Sequence, residues 1–327
     1  MRELIIGKND AGQRLDKFLQ KTLKNLPPPL MYRHIRQKNI RINRTKADGA
    51  AILREGDTVQ LWRCDGFFPD SSEGGSQENS FMKLTPRIHI VYEDENIILC
   101  DKKAGMLAHS DEEQGSDTLI DHIKAYLYQK GEYDPEKEQS FAPALCNRID
   151  RNTSGIVIAA KNAQALREMN DKIKNGKVDK RYLCAVHGRM EKESDILRSY
   201  MIKDPSSNLV RVYDSKPRSD SAKEAITEYR VMRYNSEKDL SLLEVRLHTG
   251  RTHQIRAQFS HLSHPLLGDG KYGVNRDDKK SGYKFQALYS YKLSFLSDPD
   301  SDVLAYLSNK TFSVPEANIW FLQEFGE

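Results

Sequence analysis

The sequence predicts an α+β protein in which a small basic α/β unit precedes a larger mixed-sheet domain. Three observations lead there: helical and strand-like stretches are interspersed without a strict βαβ alternation, Lys and Arg concentrate in the first 62 residues, and a polar, glycine-rich stretch separates the two parts. A chain of 327 residues is long enough for two or three domains and a substantial core. No stretch approaches the about 18 consecutive apolar residues that a membrane span needs, and the apolar part of "MRELIIGKND" is too short for a signal peptide. A cytoplasmic protein with no membrane contact is expected. Cys64, Cys100, Cys146 and Cys184 are widely spaced, which argues against both a disulfide framework and a zinc site.

In the first unit, "RLDKFLQKTL" puts Leu15, Phe18, Leu19 and Leu23 on one helical face. Pro27 to Pro29 then open a second short helix, "LMYRHIRQKN". Ile40 and Ile42 alternate with Arg41 and Asn43 as a strand, and "REGDTVQLW" supplies a turn and another strand. Residues 1 to 62 hold 13 Lys and Arg against 6 Asp and Glu, a charge of +7, which leaves −3 on the remainder. Clustered cations gain affinity for phosphates by releasing counterions, so this segment suits a polyanion, although charge alone also describes a solvated basic face.

Residues 65–84, "DGFFPDSSEGGSQENSFMKL", have linker chemistry, so the predicted division is 1–64, a linker at 65–84, and 85–327. Beyond it, "RIHIVYEDENIILCDKKAG" reads as two strands joined by an acidic turn. "DTLIDHIKAYLYQKG" follows as a helix stopped by Gly131. "GIVIAAK" is a strand buried on both faces, and a helix runs from about Ala163 to Ile173. "KRYLCAVHG" and "SLLEVRLHTG" are strands, and "RTHQIRAQFSHLS" is helical.

Three stretches of the second unit carry candidate chemistry. In "NRIDRNTSG", Asp150 stands on a turn ahead of the buried strand. Its own spacing favours a carboxylate that accepts hydrogen bonds from its turn over a catalytic one. In "DKRYLCAVHG", Tyr182 follows Lys180 and Arg181; it can stack on a base, though core packing is the commoner use of such a tyrosine. In "LHTGRTHQIRAQFSHLSHPLLGDGKYG", Arg251 and Arg256 flank a dense polar segment. His253, His261, His264 and Asp269 lack the spacing of a helical metal pair, and surface hydrogen bonding or capping suits them better.

Together, "NRIDRNTSG", "KRY", "TGRTHQIR" and "HPLLGDGKYG", in this order behind a small basic unit, resemble the RluA-type pseudouridine synthases. The first unit separately resembles the S4-type RNA-binding domain through "RLDKFL", "RQKNIRINRTK" and "EGDTV". Asn39 and Arg44 stand there where that family tends to carry glycine; asparagine tolerates positive φ, arginine at more cost. The family commonly reads His-Arg-Leu-Asp where this chain has Asn147-Arg148-Ile149-Asp150, so a contact around Asn147 is expected to differ.

The resemblance implies a largely antiparallel catalytic sheet of the pseudouridine synthase fold, an isomerase that turns uridine in RNA into pseudouridine, and no cofactor or metal. It implies RNA as partner, most naturally 23S ribosomal RNA or a large-subunit precursor, and no obligate protein partner. It makes Asp150 the catalytic carboxylate, acting either on the anomeric carbon or as a base at the ribose. Arg256 would pair with it and keep it ionised, since an adjacent cation favours a carboxylate's charged form. Tyr182 would stack on the uracil, and Arg148 would fill the place of a turned-out base. Arg151, Lys180, Arg181 and Arg251 become candidate phosphate contacts, and Arg33, Arg36 and Lys38 the RNA-facing surface of the first unit. An RNA-binding protein without catalysis would leave the three motifs unexplained, and an Asp-based nucleoside hydrolase would have no use for the basic first unit.

Overall fold

A computed structural model describes residues 1–68, 80–109, 117–204, 206–273 and 275–326. The first unit contains β1 (Arg2–Ile5), α1 (Leu15–Thr22), α2 (Pro28–Arg36), β2 (Ile40–Ile42), β3 (Thr45–Lys46) and β4 (Thr58–Leu61). Its strands form an antiparallel sheet in the order β1-β4-β2-β3. The predicted apolar face of α1 is buried as Leu15, Phe18 and Leu19, in a cluster with Leu23, Met31, Ile35, Ile40, Val59 and Leu61. The second helix starts at Pro28, whose missing N–H is no loss in a first turn, and ends at Arg36 rather than running to Asn39. Lys38 therefore lies beyond it, in a left-handed turn with φ 63°. Within "RQKNIRINRTK" the residues that take positive φ are Lys38, Asn43 and Arg44; the glycine-like position expected at Asn39 falls one residue earlier. Arg44 is held in that conformation by its own N–H, which donates to Gln60 Oε1 at 2.8 Å.

The stretch read as a linker, 65–84, lies outside the described residues over 69–79. On either side of that gap, Phe67 and Phe68 pack against the first core, and Phe81 is buried in the second unit.

That second unit contains β5 (Ile90–Glu93), β6 (Ile97–Lys102), α3 (Leu119–Gln129), β7 (Ala144–Leu145), β8 (Ser154–Ala160), α4 (Ala163–Lys174) and β9 (Val178–His187). It continues through β10 (Ser194–Lys203), β11 (Val210–Tyr213), β12 (Lys223–Asn235) and β13 (Leu240–Leu247). The last elements are α5 (Gln254–His261), α6 (Asn275–Lys280), β14 (Leu288–Phe295) and β15 (Thr311–Ser313). Eleven strands form one sheet in the order β11-β10-β12-β13-β9-β14-β8-β6-β5, with β15 added to β14 and β7 to β8. Every pairing is antiparallel except β14 with β8, so the sheet is mixed and largely antiparallel, as expected.

β8 is buried along its whole length. Ile156, Ile158 and Ala160 face one core, beneath α4, while Val157 and Ala159 face a second, beneath α3. α3 begins with a capping box between Thr118 and Asp121 and stops at Gly131, φ 72°. β10, β11, β12 and β14 have no counterpart in the sequence reading. β10 is only sparsely buried, so the alternation that reveals a strand is blurred there. No helix among the described residues is long and apolar enough to cross a membrane.

The two units meet through polar contacts. Asn9 Nδ2 donates to Glu138 at 2.8 Å, Gln13 to Ser140 at 2.9 Å, and the Ala163 N–H to Asn9 Oδ1 at 3.2 Å. The Ser140 hydroxyl donates to Asp10 at 2.5 Å.

Gly155 is where β8 and β14 run closest. Its φ is 116°, and a Cβ built there would lie 2.2 Å from the Ser290 carbonyl oxygen. Gly155→Ala should therefore lower the unfolding free energy by about 3 kcal/mol or more, combining backbone strain with overpacking. Gly176→Ala, at φ 68° with open space around it, should cost only the left-handed conformation, about 1–2 kcal/mol. Chemical denaturation of the two variants checks the contrast, and equal losses would refute it.

Candidate active site

The loop that carries Asp150 is tied down before any catalytic contact is considered. Asn147 Oδ1 accepts the Ile158 N–H at 2.7 Å, and the Cys146 N–H donates to the Ile158 carbonyl at 2.8 Å. Asn147, the departure from the family pattern, thus pins the loop to β8 and also lines the cleft. Thr153 closes a turn by donating its N–H to the Asp150 carbonyl at 3.1 Å, and its hydroxyl accepts from Gln286 at 3.1 Å.

Beneath the loop sits Lys102, only 1% exposed. Its ammonium donates to the carbonyls of Lys103, Met106 and Arg151 at 3.1, 2.8 and 2.9 Å. Burial pushes it down to about 7, against the pull of Asp150 and Asp101. Three carbonyls on three donors are the partners a buried ammonium requires, and they join the 102–106 turn to the Asp150 loop.

Arg256 reaches this loop from α5. Nη1 donates to Asp150 Oδ2 at 2.7 Å, while Nε and Nη2 form a fork on Asp269 at 2.7 and 2.9 Å. Asp269 is fully buried and also accepts the N–H groups of Lys271 and Tyr272 at 2.9 and 3.1 Å. Burial works to raise the Asp269 carboxyl, but Arg256 and those two backbone donors outweigh it and hold it below the usual carboxylate range. For Arg256, burial opposes the charge and the two carboxylates outweigh it, so the guanidinium is held above its ordinary value. The result is a cation fixed in the interior with one forked arm spent on structure and one nitrogen presented to Asp150, which remains about a quarter exposed.

Around that carboxylate lies a cleft of about 250 Å³. Tyr182 projects into it from β9; burial pushes its hydroxyl up to about 12, against a hydrogen bond with Ser290 and with Asp150 adding to the rise. Lys180, two residues along the same strand, points the same way, and burial lowers its ammonium. α5 begins at Gln254, three residues later than the helix-like stretch suggests. Gln254 Oε1 takes the Arg251 N–H at 3.0 Å and the Thr249 hydroxyl at 2.8 Å, and His253 stands in the left-handed region at φ 52°.

Asp150, Tyr182 and Arg256 are therefore brought together, with Arg148, Lys180 and Arg251 on the cleft wall. Arg251 Nε donates to the Glu224 carbonyl at 2.9 Å; Arg151, whose Nε donates to the Gly105 carbonyl at 3.1 Å, does not line the cleft. Arg181 does not join them. Strand alternation turns it to the opposite face from Tyr182, where it pairs with Glu244 at 2.8 Å and Asp179 at 3.2 Å. Arg33, Arg36 and Lys38 are exposed on the first unit and do not line the cleft. His261 pairs with Asp214 and His264 with the His187 carbonyl, whereas His253 faces the cleft. Lys102 and Tyr272 had no reading in sequence, and Asp269 had only that of a surface or capping group. The one available signal was a lysine closing an apolar strand, "IILCDK".

Comparison with known proteins identifies the family of the chain. The model of the family described as RNA pseudouridylate synthase matches residues 96–261, from the start of β6 to the end of α5. An uncharacterized RNA pseudouridine synthase of Mycoplasma genitalium is 33% identical over 300 residues, covering 90% of this chain and 88% of that one. Ribosomal large subunit pseudouridine synthase C of Vibrio cholerae is 30% identical over 274 residues, covering 84% and 81%. Among solved structures, human RNA pseudouridylate synthase domain containing 4 shares the fold at a TM-score of 0.53 and 19% identity, over 69% of this chain and 87% of that one. Human RNA pseudouridylate synthase domain containing 1 does so at 0.51 and 18%, over 74% and 98%. With a family model spanning half its length and relatives of 30% identity or more along most of it, the chain belongs to the RNA pseudouridylate synthase family.

Proposed function

We propose that this RNA pseudouridine synthase isomerises uridines of large-subunit ribosomal RNA, 23S or its precursor, with Asp150 as the reacting carboxylate and the target nucleotide turned out of the RNA. The observation that carries the reading is the hydrogen-bonded chain Asp269–Arg256–Asp150 at the wall of a cleft that also holds Tyr182. The names of several relatives, including those of Vibrio cholerae and Buchnera aphidicola, support the choice of ribosomal large subunit.

In the reaction, the bond from the anomeric carbon to N1 of uracil breaks, the anomeric carbon bonds to C5, the C5 hydrogen leaves to solvent as a proton, and N1 takes up a proton in its place. Nothing is added or oxidised, so side chains alone suffice. Asp150 meets the ribose, either attacking the anomeric carbon or taking a proton from the sugar. Arg256 aims that carboxylate through its Nη1 hydrogen bond, and Tyr182 stacks on the uracil. A stacked base cannot reach the cleft, and extrusion costs about a few kcal/mol; Arg148, exposed beside Asp150, replaces the base in the helix. Lys180, Arg251 and Arg151 contact the flanking phosphates.

Residues 1–64 act as an S4-type RNA-binding unit joined through 65–84 to a catalytic unit, 85–327. The exposed Arg33, Arg36 and Lys38 are its phosphate-facing cations. A uracil offers few distinguishing groups, so contacts remote from the reacting base select the site. Four free cysteines suit a reducing, cytoplasmic compartment.

With unmodified ribosomal RNA tritiated at C5 of uridine, the native chain should release tritium to water, and Asp150→Asn should release none. Comparable release from that variant would remove Asp150 from its role. Asp269→Asn keeps the shape of its side chain but loosens the fork on Arg256. It should lower kcat about 10- to 100-fold with less effect on KM, because a reacting group slightly out of place costs that much; an unchanged kcat would show the fork to be irrelevant to catalysis. Replacing Arg33, Arg36 and Lys38 together by alanine should flatten the dependence of log affinity on log salt by about 2 units, given about 0.7 to 0.9 per phosphate contact. An unchanged slope would place RNA binding elsewhere.

A further inference from the structure

His253 stands in the cleft with no part in the steps above. It precedes α5 in the left-handed region and gives the helix no side-chain cap. A non-glycine residue in that conformation is uncommon, and here it sets the ring into the cleft. Nδ1 lies 2.9 Å from the Tyr272 hydroxyl, and the two rings meet edge to face with centroids 5.5 Å apart. The same hydroxyl accepts the Val210 N–H at 2.9 Å. A phenol that accepts from a backbone donor still has its own proton to place, and Nδ1 is the acceptor within reach. Nδ1 is therefore bare, and Nε2 carries the proton. Burial pushes the imidazole down to about 4, Arg256 and Lys271 push the same way, and Asp150 and Asp269 oppose them. The ring is neutral at working pH.

Nε2 is 3.9 Å from Asp150 Oδ2. That is too long for a direct hydrogen bond, yet an oxygen at about 2.8 Å from each atom fits between them. The gap offers one donor and one acceptor, which is the complement of a hydroxyl group. Asp150 must approach the anomeric carbon or its neighbour, and the hydroxyl nearest both is the ribose 2′-OH. We propose that His253 Nε2–H and the Asp150 carboxylate together seat the 2′-hydroxyl of the target nucleotide, which accepts from the histidine and donates to the aspartate. The cleft then selects ribose over deoxyribose at the reacting position, because a site built for a hydroxyl rejects the analogue that lacks it. Tyr272 is the positioning residue that sets the tautomer. The proposal rests on the reading of Asp150 as the reacting carboxylate in a uridine isomerase.

The test begins by mapping a modified uridine with the native chain, then compares short RNAs bearing C5-tritiated uridine or 2′-deoxyuridine at that one position. The native chain should prefer the ribonucleotide by about 100-fold or more in kcat/KM. His253→Ala should lose activity on the ribonucleotide alone, which narrows the preference to under about 10-fold. His253→Gln, which restores an N–H donor at the same reach, should recover much of it, and Tyr272→Phe should fall between. Equal losses on both RNAs in His253→Ala would mean that the ring only packs the cleft, and an undiminished preference would mean that discrimination arises elsewhere; either overturns the proposal. Failure of the native chain to release tritium from any unmodified ribosomal RNA is a separate result, which overturns the underlying reading and this proposal with it.

Discussion

Arg256 carries its charge inside the protein, 8% exposed, with Asp269 gripping one side of the guanidinium and Asp150 touching the other. A buried cation is tolerable only when its donors are met, and removing one partner of such a pair typically costs about 3–5 kcal/mol. The fork on Asp269 meets that demand and leaves Nη1 free of structural duty. The carboxylate on the Asp150 loop can then be both held and reachable, because the protein has anchored its partner instead of burying the aspartate itself.

The rest of the second unit supplies the walls for that arrangement. β8 is apolar on both faces, so it cannot rotate without exposing one core or the other. The loop before it therefore leaves the sheet at one fixed place, and Asn147 and Lys102 set its path by hydrogen bonds to backbone groups. β9 brings Tyr182 to the same end, opposite Ser290 of β14. The two strands are neighbours only through β14, which pairs in parallel with one and antiparallel with the other.

Much of this was legible in the chain. The apolar face of α1, the glycine stop of α3 and the run in β8 follow from local periodicity and turn chemistry, and the structure has them where the pattern puts them. Asp150, Tyr182 and Arg256 were legible only jointly, since each alone reads as turn, core or surface. Arg181 shows what motif reading overlooks: it stands beside Tyr182 in sequence, but the pleat sends the two side chains to opposite faces. Asp269, His253 and Tyr272 acquire meaning only when the segment after α5 folds back on it, a tertiary event with no local signature. β10 to β12 stayed invisible for a related reason, their outer faces being charged and half-wet.

The Gly155–Ser290 approach also shows what joins the two sides of the cleft. β14 is the strand on which both β8 and β9 are laid, in parallel with one and antiparallel with the other, and it follows both of them in the chain. Without it the segments bearing Asp150 and Tyr182 share no neighbouring strand. The cleft is accordingly closed by a segment distant in sequence from either wall, at a seam where one backbone lies against a residue that has no side chain.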